Sequence, residues 1–154
     1  MTAILVIDDE PAVCNVIKLL LGRAGYAVVT CAAGQTALDI LPSQEFAVAL
    51  IDLGLEPVQG RHVIEAVRAA KPALPIVVMS GVLMGEADDQ LPGLPAEFEE
   101  LHRLPKPFKP RSLIALVTTI ASQPPIKRRP RASQRQGNFC CGPIAARMQH
   151  FRPW

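Results

Sequence analysis

Three carboxylates stand where short apolar runs end: Asp8 and Asp9 after residues 3–7, and Asp52 after residues 47–51. Runs of this length, rich in Val and Ile, read as buried strands of a parallel sheet. In such a sheet a ligand crevice opens beyond the carboxyl ends of the strands, where the strand order reverses. In the order 2-1-3-4-5 the first and third strands flank that crevice, so the three acids converge there. Like charges at close range repel unless a cation joins them. An all-oxygen donor set completed by water suits Mg²⁺ better than a softer metal. Ser80, closing PIVVMSG, and Lys106, in LPKPF, reach the same rim. A carboxylate nucleophile, a divalent cation, a hydroxyl and an ammonium together make a site for a phosphoryl group.

The elements that must carry these residues follow from pattern. Apolar runs at 3–7, 27–30, 47–51 and 76–79 predict strands, and residues 101–104 are accepted as a fifth because one is needed before the last helix. Residues 11–24 place Val13, Val16, Ile17, Leu20 and Leu21 at helical spacing, with Gly25 where a C-terminal glycine belongs. Further helices are predicted over 35–41, 61–70 and 110–120. The alternation makes the chain α/β, a doubly wound five-stranded parallel sheet. Between Gly81 and Glu100, where a helix would come fourth, Gly85, Pro92, Gly93 and Pro95 leave room for a short one near residues 86–91 at most.

Bulk composition bounds the reading. The 154 residues allow one ordinary domain and an extension, with a formal net charge of +2. That charge is unevenly spread: residues 1–120 carry 9 Lys/Arg against 14 Asp/Glu, while residues 121–154 carry 7 against none. An acidic domain with a basic, Pro- and Arg-rich tail over residues 122–154, expected to be disordered, is the organisation implied. Cys14, Cys31, Cys140 and Cys141 form no CxxC pair and match no His cluster, which disfavours zinc and a disulfide framework and suits a reduced cytoplasmic protein. The short apolar start meets acids at residue 8, so neither a signal peptide nor a membrane span is expected.

The four motifs ILVIDDE, ALIDLGLEPVQG, PIVVMSG and LPKPF, in this order and spacing, resemble the response-regulator receiver family over about residues 3–121. The resemblance implies a flavodoxin-like fold and a receiver domain over residues 1–121. It implies Asp52 as phosphoacceptor, Asp9 as a direct Mg²⁺ ligand, Asp8 acting through metal-bound water, and Gly54 lending its carbonyl to the metal. Ser80 matches the hydroxyl residue that moves to the phosphoryl group, Lys106 the family's lysine, and Lys106-Pro107 a candidate cis bond. The implied partners are a histidine kinase or phosphotransfer protein as donor and an unidentified protein downstream. With no output domain recognisable after residue 121, a stand-alone receiver is the expected form.

Each residue also has a plainer meaning. Asp9-Glu10-Pro11 is an ordinary helix start, Ser80-Gly81 an ordinary turn, Lys106 an ordinary exposed lysine and Asp52 an ordinary loop acid. Only their joint register favours a site. His62 and His102 lack companions at ligand spacing and read as surface residues. Two departures stand out. Receivers commonly carry Tyr or Phe three residues before the lysine, where this chain has Arg103, and the proline-interrupted stretch 81–100 falls where many receivers bind partners. Gly54, Gly81 and Val82 put no acid or amide beside an attacking water, so slow loss of phosphate is expected. Two other readings are kept: a nucleic-acid-associated regulator using KRRPRASQR as a phosphate-contacting arm, and a receiver-like interaction module that does not cycle phosphate.

Overall fold

Every residue of β1, Ala3–Ile7, is buried, as is every residue of β3, Val48–Asp52, and β4, Ile76–Ser80. Strands covered on both faces need apolar side chains at successive positions, which is why these segments run without polar alternation. β2, Ala27–Cys31, is half-buried along most of its length, and β5, His102–Pro105, buries only Leu104. Their position explains it. In the computed structural model, which describes residues 1–55, 60–81 and 101–123, the sheet is parallel throughout with order β2-β1-β3-β4-β5, so β2 and β5 are its edges. The third and fifth strands each lie one residue later than pattern suggested, while the other three begin at the expected residue and end within one of it.

Four helices among the described residues complete the chain: α1 Pro11–Arg23, α2 Gly34–Ile40, α3 Gly60–Ala70 and α4 Pro110–Ala121. The chain runs from β1 outward to β2 and then back past β1 to β3 and on to β4, and right-handed crossovers therefore put α1 on one face and both α2 and α3 on the other. Leu5, Ile7, Ala49, Ile51, Ile76 and Val78 point to the face covered by α2 and α3. Ile4, Val6, Val48, Leu50, Val77 and Met79 point to the face covered by α1 and α4. The period-two alternation of a strand thus sorts each one into two cores. Burying each of the large fully covered side chains, Ile4, Leu5, Ile17, Leu21 and Leu50 among them, contributes about 1.5–3 kcal/mol.

Local signals close the helices as their residues require. Proline opens α1 and α4, where its missing N–H costs nothing. Gly25, at φ 93°, ends α1: its N–H donates to the Gly22 carbonyl and that of Tyr26 to the Leu21 carbonyl, the paired bonds of a Schellman turn. The short helix expected near residues 86–91, the stretch 82–100 around it and the tail beyond residue 123, including Cys140 and Cys141, lie outside the described residues.

Gly60, the first residue of α3, lies against the backbone where β3 ends. A Cβ there would overlap the Asp52 carbonyl oxygen and lie 2.8 Å from Leu53 Cα. Both obstacles are backbone, so α3 would have to move. Gly60→Ala is expected to lower unfolding stability by about 1–3 kcal/mol, the range for overpacking a filled site, as read by urea denaturation; an unchanged midpoint would mean that the start of α3 yields freely.

Candidate functional site

The acids arrive at one rim because β1 and β3 are neighbours and run the same way. Asp8 follows β1 and is 1 % exposed, while Asp52 is the last residue of β3 and 7 % exposed. Asp9, next along the chain, faces solvent. One carboxylate oxygen from each of Asp8, Asp9 and Asp52 lies within 4.8 Å of the others. Ser80 ends β4 and is buried, and Lys106 follows β5 directly. The Lys106 N–H donates to the Ser80 carbonyl at 2.7 Å, tying the two loops together, and the Lys106-Pro107 peptide is cis.

Lys106 is the counter-charge of the cluster. Its Nζ donates to Asp8 Oδ2 at 2.7 Å and lies 3.2 Å from Asp52 Oδ1. Asp8 Oδ1 accepts the Glu10 N–H at 2.9 Å, so both oxygens of this buried carboxylate are engaged. Burial on its own would lower the lysine pKa, yet the hydrogen bond it donates to Asp8 and the charge of Asp52 outweigh it and leave the ammonium above its ordinary value. A lysine raised on folding adds stability that is fully present below its unfolded-state pKa and fades as pH climbs through the folded value. Lys106→Met should therefore lower stability by about 3 kcal/mol at pH 8, since it leaves Asp8 buried without its partner. The gap to wild type should narrow above roughly pH 10.4, the ordinary lysine value. Denaturant unfolding of both proteins from pH 8 to 11.5 checks this, and a pH-independent gap would show that the side chain acts by packing.

Among the described residues, three carboxylates against one ammonium leave the rim anionic. The fit to a hard divalent cation is good: the donors are all oxygens, Asp9 is open to solvent, and Gly54 keeps the ground beside Asp52 clear. A Cβ on residue 54 would sit 3.2 Å from Asp52 Oδ2, whereas one on Gly81 would meet nothing within 4 Å. His62 is exposed on α3 and His102 half-buried on β5, and neither joins the acidic group.

Two neighbours of the site were given no role from the sequence, although Gly60 closes the ALIDLGLEPVQG motif. Gly60 was hidden because its reason is a backbone eight residues earlier. Cys14, on the buried side of α1, donates its thiol to the Asp8 carbonyl at 3.3 Å. Its helical spacing announces only a core position. Burial pushes the thiols of Cys14 and Cys31 above the ordinary range, with the charge of Asp8 adding to the effect at Cys14, so both stay protonated and unreactive.

A model of the response regulator receiver domain matches residues 4–118, three quarters of the chain, and reaches from β1 into α4. The chain belongs to the response regulator receiver family. Cell cycle response regulator CtrA of Brucella ovis is 29 % identical over 117 residues, covering 76 % of this chain and 49 % of the relative. The chain thus spans about half the length of the curated relatives it matches. Two solved structures confirm the fold. A CheY-like receiver domain protein from Methanospirillum hungatei superposes with a TM-score of 0.67 at 22 % identity over 79 % of this chain and 94 % of that one. TrrA from Thermotoga maritima, solved in complex with Mg²⁺ and BeF, gives 0.65 at 23 % identity, covering 78 % and 99 %.

As a receiver the chain is a phosphoacceptor module of two-component signalling rather than a classical enzyme, and an acidic triad like Asp8, Asp9 and Asp52 is the typical Mg²⁺ site of such domains. Receivers pair with histidine kinases. No helix among the described residues is long and apolar enough to cross a membrane.

Proposed function

We propose that residues 1–121 form a cytoplasmic receiver that takes a phosphoryl group from a histidine kinase or phosphotransfer protein onto Asp52, with Mg²⁺, and signals by binding a downstream protein. The observation that carries this is the Lys106 ammonium set between Asp8 and Asp52 while Asp9 remains open at the same point. Asp52 Oδ2 attacks phosphorus in line. A P–O bond forms as the bond from phosphorus to the donor nitrogen breaks, and the electron pair leaves on that nitrogen. Asp8, Asp9, Asp52 and the Gly54 carbonyl would hold Mg²⁺, which supplies neutralisation of charge on the transferring group. Lys106 passes from a carboxylate to a phosphoryl oxygen, and the Ser80 hydroxyl meets another.

Intact-mass measurement with a small acyl phosphate donor tests the reading. A single added phosphoryl group is expected in Mg²⁺ and none in chelator. Labelling indifferent to the metal would remove its basis.

A second reading rests on one observation, the 7 basic residues and no acidic ones in residues 121–154. Such a segment contacts nucleic-acid phosphates without reading sequence, so binding should be weak and steeply salt-dependent. Removing residues 123–154 is expected to abolish it while leaving folding and phosphorylation unchanged, because the tail sequence offers no periodic apolar face to a core. Filter binding at 50 and 200 mM salt, beside thermal melts, checks both halves. A truncated protein that melts much lower would show the tail to be part of the domain.

A further inference from the structure

Asp8 has four polar groups, and each has a partner. Its N–H donates to the Cys31 carbonyl at 3.1 Å, Oδ1 accepts from Glu10, Oδ2 accepts from Lys106, and its carbonyl accepts the Cys14 thiol. The last of these is unlike the rest. The Cys14 N–H donates instead to the carbonyl two residues later, that of Glu10, at 3.1 Å. Cys14 therefore grips the β1–α1 loop twice, by its backbone at Glu10 and by its side chain at Asp8. Between those two points stands Asp9.

We propose that Cys14 is a positioning residue for the acid cluster: its thiol fixes the plane of the Asp8–Asp9 peptide and thereby sets the direction in which the Asp9 carboxylate leaves the chain. The thiol can act so because it is itself held. Cys14 is 8 % exposed and packs in the core that contains Ile4, Val6, Ile17 and Leu21. Asp9 has no comparable support, being exposed at the start of a helix whose N-cap, Glu10, makes no side-chain capping bond. Without the thiol, the buried Asp8 carbonyl would lose its donor, and rotation of that peptide to find another would swing Asp9 away from Asp52. Partners behind a metal ligand commonly govern affinity as strongly as this, about 10–100-fold on removal.

The inference rests on Asp9 being a Mg²⁺ ligand, but its test has a part that does not. Cys14→Ser keeps a donor, Cys14→Val keeps apolar bulk, and Cys14→Ala keeps neither. In the metal-free full chain, the backbone amide resonances of Asp9 and Glu10 are expected to shift in the Val and Ala variants and to return towards wild type in Ser. Mg²⁺ affinity by calorimetry should fall about tenfold in Val and Ala and recover in Ser, while melting temperature follows packing and ranks Val above Ser. If the amides and the affinity instead follow size, with Val like wild type and Ser like Ala, Cys14 is a core residue alone and the proposal fails. Should wild type itself bind no Mg²⁺, the metal assignment fails, and the amide pattern alone decides the role of Cys14.

Discussion

Asp52→Asn is expected to abolish phosphoryl incorporation, taking the protein from a single full modification to background in the same time. The amide it introduces is nearly isosteric, so the loss would be chemical: an amide oxygen is a poor nucleophile at phosphorus, and the cluster loses one of the charges that draw a divalent cation. Chelation should act on wild type nearly as strongly, slowing labelling by about a thousandfold, because a metal at a transferring phosphoryl group is worth several kcal/mol. The two effects separate by calorimetry. Asp52→Asn should weaken Mg²⁺ binding while leaving Asp8 paired with Lys106, since that 2.7 Å bond does not involve Asp52. Unfolding stability should hold or rise, because removing one of three crowded carboxylates relieves repulsion. Equal labelling of variant and wild type would place the phosphoacceptor elsewhere.

The contrast between these acids and the residues behind them shows what a sequence can disclose. Strands β1, β3 and β4 are legible because burial on both faces leaves continuous apolar runs, and their acids are legible because they stand at the ends of those runs. β5 is faint for a physical reason: an edge strand with a single buried residue, Leu104, needs little apolar character, and it was accepted only because a strand was needed before the last helix. Lys106 could be assigned only through the joint register of four motifs, because nothing within ten residues of it reveals Asp8, its partner 98 positions away. The roles of Gly60 and Cys14 were not legible, although both residues were noted. Each works through a backbone oxygen, of Asp52 and of Asp8, and a carbonyl has no residue identity to read. Side chains that do chemistry leave marks at strand ends, whereas those that brace the chemistry through the main chain look like ordinary packing.

Arg103→Tyr is expected to enlarge the structural response to phosphorylation. Arg103 is half-buried in β5 opposite Val78 in β4, and Ser80, two residues beyond Val78, lies opposite Pro105. Side chains two apart on a strand share a face, so Arg103 stands one strand over and one repeat below the hydroxyl proposed to move towards the phosphoryl group. Val78 belongs to the core under α2 and α3, and that is the space an inward-moving side chain would enter. A Tyr ring could fill it at small desolvation cost. A guanidinium could not, because an unpaired charge in an apolar core is far costlier, and its five N–H groups would need acceptors waiting there. Phosphorylation should therefore change the loop after Ser80 more than it changes β5 and α4. Hydrogen exchange with and without a stable phosphoryl mimic reads the difference. In wild type, protection over Pro110–Ala121 should change little, and in Arg103→Tyr it should change by about tenfold, equivalent to roughly 1.4 kcal/mol in local opening. A large change at α4 already present in wild type, with nothing added by Tyr, would mean that the guanidinium follows the phosphoryl charge inward and is itself the moving part.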